Sequence, residues 1–146
     1  KGPIYGHQVK RYLLDTSVIV GYLRGKKEFI EFLPELEGEL TSSFVCLAEL
    51  FEGVFRVKDG KTMEKAVLEF FSGLNEIFGL DTDTARVFGR IRSELKRKGS
   101  VIEDMDILID ATCIANNLAL ITLNPKHFHR VEGLKLSPPP PSPNKF

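Results

Sequence analysis

Tryptophan is absent from these 146 residues, and cysteine occurs only twice. Cys46 and Cys113 each lie inside an apolar stretch, which argues against both a disulfide-built secreted scaffold and a cysteine-built zinc site. An excess of one charge sign is also lacking. Twenty basic residues balance twenty acidic ones, so no global field draws the chain toward nucleic acid or a membrane, although a local patch still can. No apolar run approaches the ~20 residues that span a bilayer, and the first residues hold no apolar signal-peptide core. The expectation is a cytoplasmic protein without membrane association. Its 42% hydrophobic residues and eleven Phe suit a globular chain long enough for one self-sufficient core and too short for two.

Residues 1–10 carry turn formers and no periodicity, and are expected to be a leader, a truncation or an expression remnant. At the other end, Ser137-Pro-Pro-Pro-Pro-Ser-Pro-Asn-Lys-Phe146 can neither continue a helix nor donate to a sheet, so 137–146 reads as an extended Pro-rich tail. Residues 11–136 form the domain.

Within it, short apolar strands alternate with helices. Strands are expected at 11–14, 39–43, 76–80, 119–122 and 134–136. Helices are expected from the cap residues Asp15-Thr-Ser17 to a stop at Gly25, over 27–36, over 44–57 (with Lys58-Asp-Gly60 closing it), over 62–74, from the Asp81-Thr-Asp-Thr cap to Gly99, and over 104–118, with a turn of helix at 125–128. Val45, Ala48, Leu50, Phe51 and Val54 are apolar positions of the third helix, as are Ala85, Phe88, Ile91 and Leu95 of the fifth. Strands separated by helices rather than by tight turns imply parallel pairing. The fold class is therefore α/β, a three-layer α/β/α sandwich with a short, mainly parallel central sheet.

Ligands of such sheets bind at the carboxyl ends of the strands, near helix N-termini. That rule selects Asp15, with Thr16 and Ser17, after the first strand, and Asn124 after the fourth. Asp106 lies in the first turn of the helix leading into that strand, and Asp110 is one turn further along the same side. Glu49 interrupts an otherwise apolar helix, where an unpartnered charge is expensive to bury. Each residue also has an ordinary explanation as a cap, a solvated side chain or a turn former. Gathered at one sheet edge they have another. Carboxylates ~4 Å apart repel by about 4 kcal/mol at an effective dielectric near 20, so such a cluster needs protons or a cation. Hard oxygen ligands without His or Cys point to magnesium or manganese.

Six segments occur in a characteristic order. They are Tyr12-Leu-Leu-Asp-Thr-Ser-Val-Ile19, Ala48-Glu-Leu-Phe-Glu-Gly53, Arg90-Ile-Arg-Ser-Glu-Leu-Lys-Arg-Lys-Gly99, Asp106-Ile-Leu-Ile-Asp-Ala111, Ile121-Thr-Leu-Asn-Pro-Lys-His-Phe128 and Val131-Glu-Gly-Leu134. Together they resemble PIN-domain proteins, above all the VapC-type ribonuclease toxins of toxin–antitoxin modules. The resemblance implies an Mg2+- or Mn2+-dependent endoribonuclease, usually a homodimer, held inactive by a small VapB-like antitoxin in its catalytic groove. It assigns catalytic roles to Asp15, Glu49, Asp106 and Asn124, with Asp15, Asp106 and Glu49 holding the metal. Thr16 or Ser17, and Thr122, match polar positions lining the groove. Asn124 falls where many members carry a fourth acid, which puts a tightly held second metal in doubt. Asp110 stands where members often have a small residue and is a candidate to compensate.

The expected chemistry follows from metal-assisted hydrolysis: a cation lowers the pKa of water and offsets charge on the scissile phosphate. Glu49 either ligates it or acts through water. Products would carry a 5′-phosphate and a 3′-hydroxyl. RNA contacts are expected at Arg90, Arg92, Lys96, Arg97 and Lys98, which with Arg86 face one acid, Glu94, along the fifth helix. Conversely, Glu28 to Glu52 holds seven acids and no Lys or Arg, an asymmetry suited to a basic antitoxin tail or to solvation. His127 and His129 read as a surface turn near the site rather than as metal ligands. The rival reading is a catalytically weak PIN-like domain that binds RNA or a protein partner without cleaving. A receiver-like phosphotransfer domain would want a paired acid before the strand-end Asp and a Lys at a later strand end, and a dinucleotide-binding domain a Gly-x-Gly-x-x-Gly after the first strand; the sequence offers neither.

Overall fold

The computed structural model describes residues 10–125 and 131–137. The first nine residues, most of the expected helical turn at 125–128, His127, His129 and the tail beyond Ser137 lie outside them. The element order is β1 (Arg11–Leu14), α1 (Thr16–Leu23), α2 (Lys27–Glu35), β2 (Glu39–Ser43), α3 (Phe44–Arg56), α4 (Gly60–Ser72), β3 (Glu76–Phe78), α5 (Thr82–Arg97), α6 (Asp104–Asn116), β4 (Ala119–Ile121) and β5 (Lys135–Leu136).

The strands form one sheet in the order β3-β2-β1-β4-β5, and every pairing is parallel. β1 is central, which explains its uninterrupted Tyr12-Leu13-Leu14 run: a strand covered on both faces has no use for alternation. Leu13 pairs with Thr41 on one side and Leu120 on the other. β2 is buried too, yet its buried residues are Thr41, Ser42 and Ser43. Their burial is tolerated because the hydroxyls have partners. Thr41 Oγ1 donates to the Tyr12 carbonyl at 2.7 Å, and Ser42 Oγ to the Leu14 carbonyl at 3.0 Å.

Helix starts are fixed by side-chain caps. Asp15, Ser43, Asp59 and Asp81 accept from the backbone N–H groups of Thr16, Cys46, Thr62 and Thr84, each worth about 1 kcal/mol. Gly21 lets α2 approach α1: a Cβ there would stand 2.5 Å from the Phe29 ring.

The core has two clusters. The larger joins the sheet to α1–α4 through residues such as Leu14, Ile19, Phe29, Leu50 and Phe71. The smaller packs Ile91 and Leu95 of α5 against Ile107 and Ala111 of α6 and against Val131. Helix α6 serves both, sending Ile109 and Cys113 into the larger cluster. It is thus buried on two sides, the situation that makes a helix apolar nearly all round. The architecture is a three-layer α/β/α sandwich.

Several expected boundaries move. Gly60 opens α4 rather than closing α3, because the Asp59 cap starts the next helix there. β3 ends at Phe78, leaving Leu80 65% exposed. α6 stops at Asn116, since Asn117 adopts a left-handed conformation (φ 55°) that ends the helix. Ala48 and Ala85 are exposed rather than core-facing, their faces being turned from α4 and α6. Lys10, placed in the leader from sequence, accepts a 2.8 Å hydrogen bond from the Glu39 N–H and so already belongs to the sheet region.

Candidate active site

Asp15 is the last residue before α1, and its own N–H is held by the Ile121 carbonyl of β4 at 2.9 Å. The parallel β1–β4 register brings Leu14 beside Ile121, which sets Thr122 against Asp15. Thr122 Oγ1 donates to Asp15 Oδ2 at 2.7 Å, and Ser17 Oγ reaches the same oxygen at 3.3 Å. The Thr16 N–H donates to Oδ1 at 2.8 Å. Burial pushes this carboxyl above its usual pKa, and the hydrogen bonds from Thr122, Thr16 and Ser17 pull it back. The corner is closed by the Leu123 N–H donating to Ser17 Oγ and the Asn124 N–H donating to Thr122 Oγ1.

Glu49 approaches from α3, which begins at the carboxyl end of neighbouring β2. Thr16 Oγ1 donates to Glu49 Oε1 at 2.5 Å, so Thr16 bonds to both acids, one through its backbone and one through its hydroxyl. Burial raises the Glu49 pKa, Thr16 lowers it, and the nearby charges of Asp15, Asp106 and Glu103 raise it further. Ligand atoms of Asp15, Glu49 and Cys46 lie within 4.8 Å of one another. Cys46 was not among the sequence-derived site residues. It stands three positions before Glu49 on α3, a spacing that puts both on one helix face, and that spacing was the available signal. Its thiol is pushed up to about 11, by burial first and then by Asp15. It is therefore a neutral neighbour at physiological pH.

Asp106 and Asp110 come from α6. Asp106 is half-buried in the first turn and outside the tight trio, but its charge raises both Glu49 and Asp110. Asp110 has no exposed surface. Neither of its carboxylate oxygens has a hydrogen-bond partner among the described residues. Its pKa is raised to about 9, chiefly by burial, then by Asp106 and Asp15.

The structure thus brings Asp15, Glu49, Thr16, Ser17 and Thr122 together at one sheet edge, with Asp106 and Asp110 of α6 outside the tight trio but near enough for their charges to act on each other or on Glu49. Asn124 is exposed at the rim, engaged through its backbone. A groove of about 620 Å³ leads away from the acids between α1, α3 and α4, with Thr16, Val20, Glu49, Gly53, Arg56 and Met63 among its lining. On α5, Arg86, Arg90 and Arg92 are paired with Asp83, Glu94 and Asp104. Among the described residues, Lys96, Arg97 and Lys98 are exposed and hold no ion pair. The Arg92–Asp104 pair, at 2.9 Å, ties the basic helix to the turn that carries Asp106.

Among the described residues the donor set suits a hard divalent cation: several carboxylates, no histidine and one neutral thiol. Two orphaned, buried oxygens on Asp110 add anionic capacity that no donor among the described residues uses.

Comparison with known proteins agrees with this arrangement. The PIN domain family model matches residues 12–134. Ribonuclease VapC1 of Methanocaldococcus jannaschii is 34% identical over 128 residues, covering 86% of this chain and 86% of that protein. The tRNA(fMet)-specific endonuclease VapC of Salmonella typhimurium is 28% identical over 130 residues, 86% of this chain and 96% of its own. The crystal structure of VapBC2 from Rickettsia felis, bound to a DNA fragment from their promoter, is similar with a TM-score of 0.81 and 31% identity. It covers 87% of this chain and 97% of that one. With the family model matching residues 12–134, nearly all of the described residues, the chain belongs to the PIN-domain family.

Proposed function

We propose that the chain is a metal-dependent endoribonuclease, the toxin half of a VapBC-type module, acting on RNA in the cytoplasm. The observation that carries this reading is the convergence of Asp15, Glu49 and Asp106, from three separate elements, close enough for Asp15 and Asp106 both to raise the Glu49 pKa. Asp15, Glu49 and Asp106 would hold Mg2+ or Mn2+. Such a cation, when bound, supplies a lowered pKa for water and charge compensation at the phosphate.

The protein's own groups divide the remaining work. Thr122, Ser17 and the Thr16 N–H fix both oxygens of Asp15, so its orientation costs no reorganisation during reaction. Glu49 is half-exposed toward the groove with one oxygen bound to Thr16, leaving the other to orient an attacking water and accept its proton. A raised pKa suits that role, because a more basic carboxylate is a better proton acceptor. Attack by water leaves a 5′-phosphate and a 3′-hydroxyl. Lys96, Arg97 and Lys98 supply phosphate contacts, each adding salt-dependent affinity.

Partners follow the relatives. VapBC2 is a two-protein assembly, and a VapB-like antitoxin lying in the groove between α1, α3 and α4 would cover Thr16 and Glu49 together. Homodimer formation belongs to the same proposal. No helix among the described residues is long and apolar enough to cross a membrane.

The test is cleavage of a total RNA pool with Mg2+ or Mn2+, beside an Asp15→Asn control, with the product ends mapped. Metal-dependent cuts that leave 5′-phosphates and vanish in the control are expected. RNA binding without metal-dependent turnover would transfer the chain to the non-cleaving alternative.

A further inference from the structure

Asp110 is the least comfortable residue in the protein. It sits midway along α6, the helix enclosed by both core clusters, with Ile109 at 0% exposure before it and Ala111 at 0% after it. A carboxyl in such a place ordinarily recruits donors. Asp110 has none among the described residues for either oxygen. Its two electrostatic neighbours are acids, Asp106 one turn earlier on the same helix and Asp15 across at the end of β1. Nothing in the packing of the apolar layer calls for an acid, since an alanine would complete that layer without an orphaned polar group.

Asn124, at the rim, is exposed and carries an amide, so it adds no charge to the edge.

We infer that Asp110 is a further carboxylate ligand of the divalent-cation site, supplied from the α6 wall. The inference rests on the cation-site reading above and adds a ligand to it. It accounts for the orphaned oxygens: they are unpaired because their partner is an ion rather than a donor of the protein.

The experiment is direct Mn2+ binding to the full chain, followed by the electron paramagnetic resonance of free Mn2+ and by the Mn2+-induced rise in melting temperature. Wild type, Asp110→Asn, Asp110→Ala and Asp15→Asn are compared, and the second Asp110 variant carries the measurement if the first fails to fold. The expected result is a loss of Mn2+ affinity of roughly 10-fold or more in the Asp110 variants, together with a reduced Mn2+-induced rise. Wild-type affinity in the Asp110 variants, with binding lost in Asp15→Asn, overturns this inference and leaves the cation site standing. Wild-type affinity in Asp15→Asn overturns the cation site itself, and the inference falls with it.

Discussion

Asp15 and Asp110 are both buried carboxyls within reach of each other's charge, and they are housed in opposite ways. Asp15, at the junction of β1 and α1, receives three hydrogen bonds from Thr16, Ser17 and Thr122. Asp110, inside α6, receives none among the described residues. The contrast shows that burial alone does not define a functional acid. A strand end offers free backbone N–H groups and nearby hydroxyls, so a carboxylate there can be supported by the protein itself. The middle of a helix has spent its N–H groups on the helix, so an acid there must find compensation elsewhere or remain a cost.

Replacing the supported acid should have the largest consequence. Asp15→Asn, or Glu49→Gln beside it, is expected to lower RNA cleavage on the order of 10²–10⁴-fold, measured as single-turnover rates with Mn2+ at saturating protein. Equal rates in wild type and both variants would remove the acidic edge from the chemistry. Thr122→Val tests the support itself. Loss of a hydrogen bond to a charged group is expected to lower stability by about 2 kcal/mol, read from the denaturant midpoint of the metal-free protein. The smaller effect has the opposite sign: Asp110→Ala should stabilise the metal-free protein by about 1 kcal/mol, because it removes a buried polar group with no partner. A destabilised Asp110→Ala would mean that a donor completes the wild-type site.

The same pair predicts a pH dependence. Asp110 has a folded-state pKa raised to about 9, against about 3.9 for an unfolded-state Asp. Between those values the native state binds more protons than the unfolded one, so the contribution to stability falls as pH rises. Its share is fully present below about pH 4 and is lost progressively toward pH 9. Metal-free melting temperatures should therefore decline from pH 5 to 8 more steeply in wild type than in Asp110→Ala. Equal slopes would place the proton elsewhere.

Much of this was legible in the sequence because each strand ends where a cap begins. Leu14 to Asp15 changes in one step from apolar strand to cap and helix, and the strand-end rule then points at Asp15 without coordinates, whereas after the fourth strand it points at Asn124, which lies at the exposed rim, rather than at Thr122, which bonds to Asp15. Less legible was anything that depends on which helix covers which. Ala48 and Ala85 follow the helical period yet face outward, since alanine is small enough to fit either face. Cys46 looks like core from its neighbours, and is core, yet its sulfur also borders the acids. The surplus of cations on α5 looked like an open phosphate surface. Ion pairs with Asp83, Glu94 and Asp104 engage half of it, and Asp104 lies beyond the helix that a linear charge count can see.

The bond from Thr122 to Asp15 joins residues 107 positions apart. A ribosome making this chain releases Asp15 early, but the corner that orients it cannot assemble until β4 has emerged and docked beside β1. Late closure of the central sheet therefore makes the orientation of Asp15 a property of the nearly finished domain, which no shorter nascent segment can have.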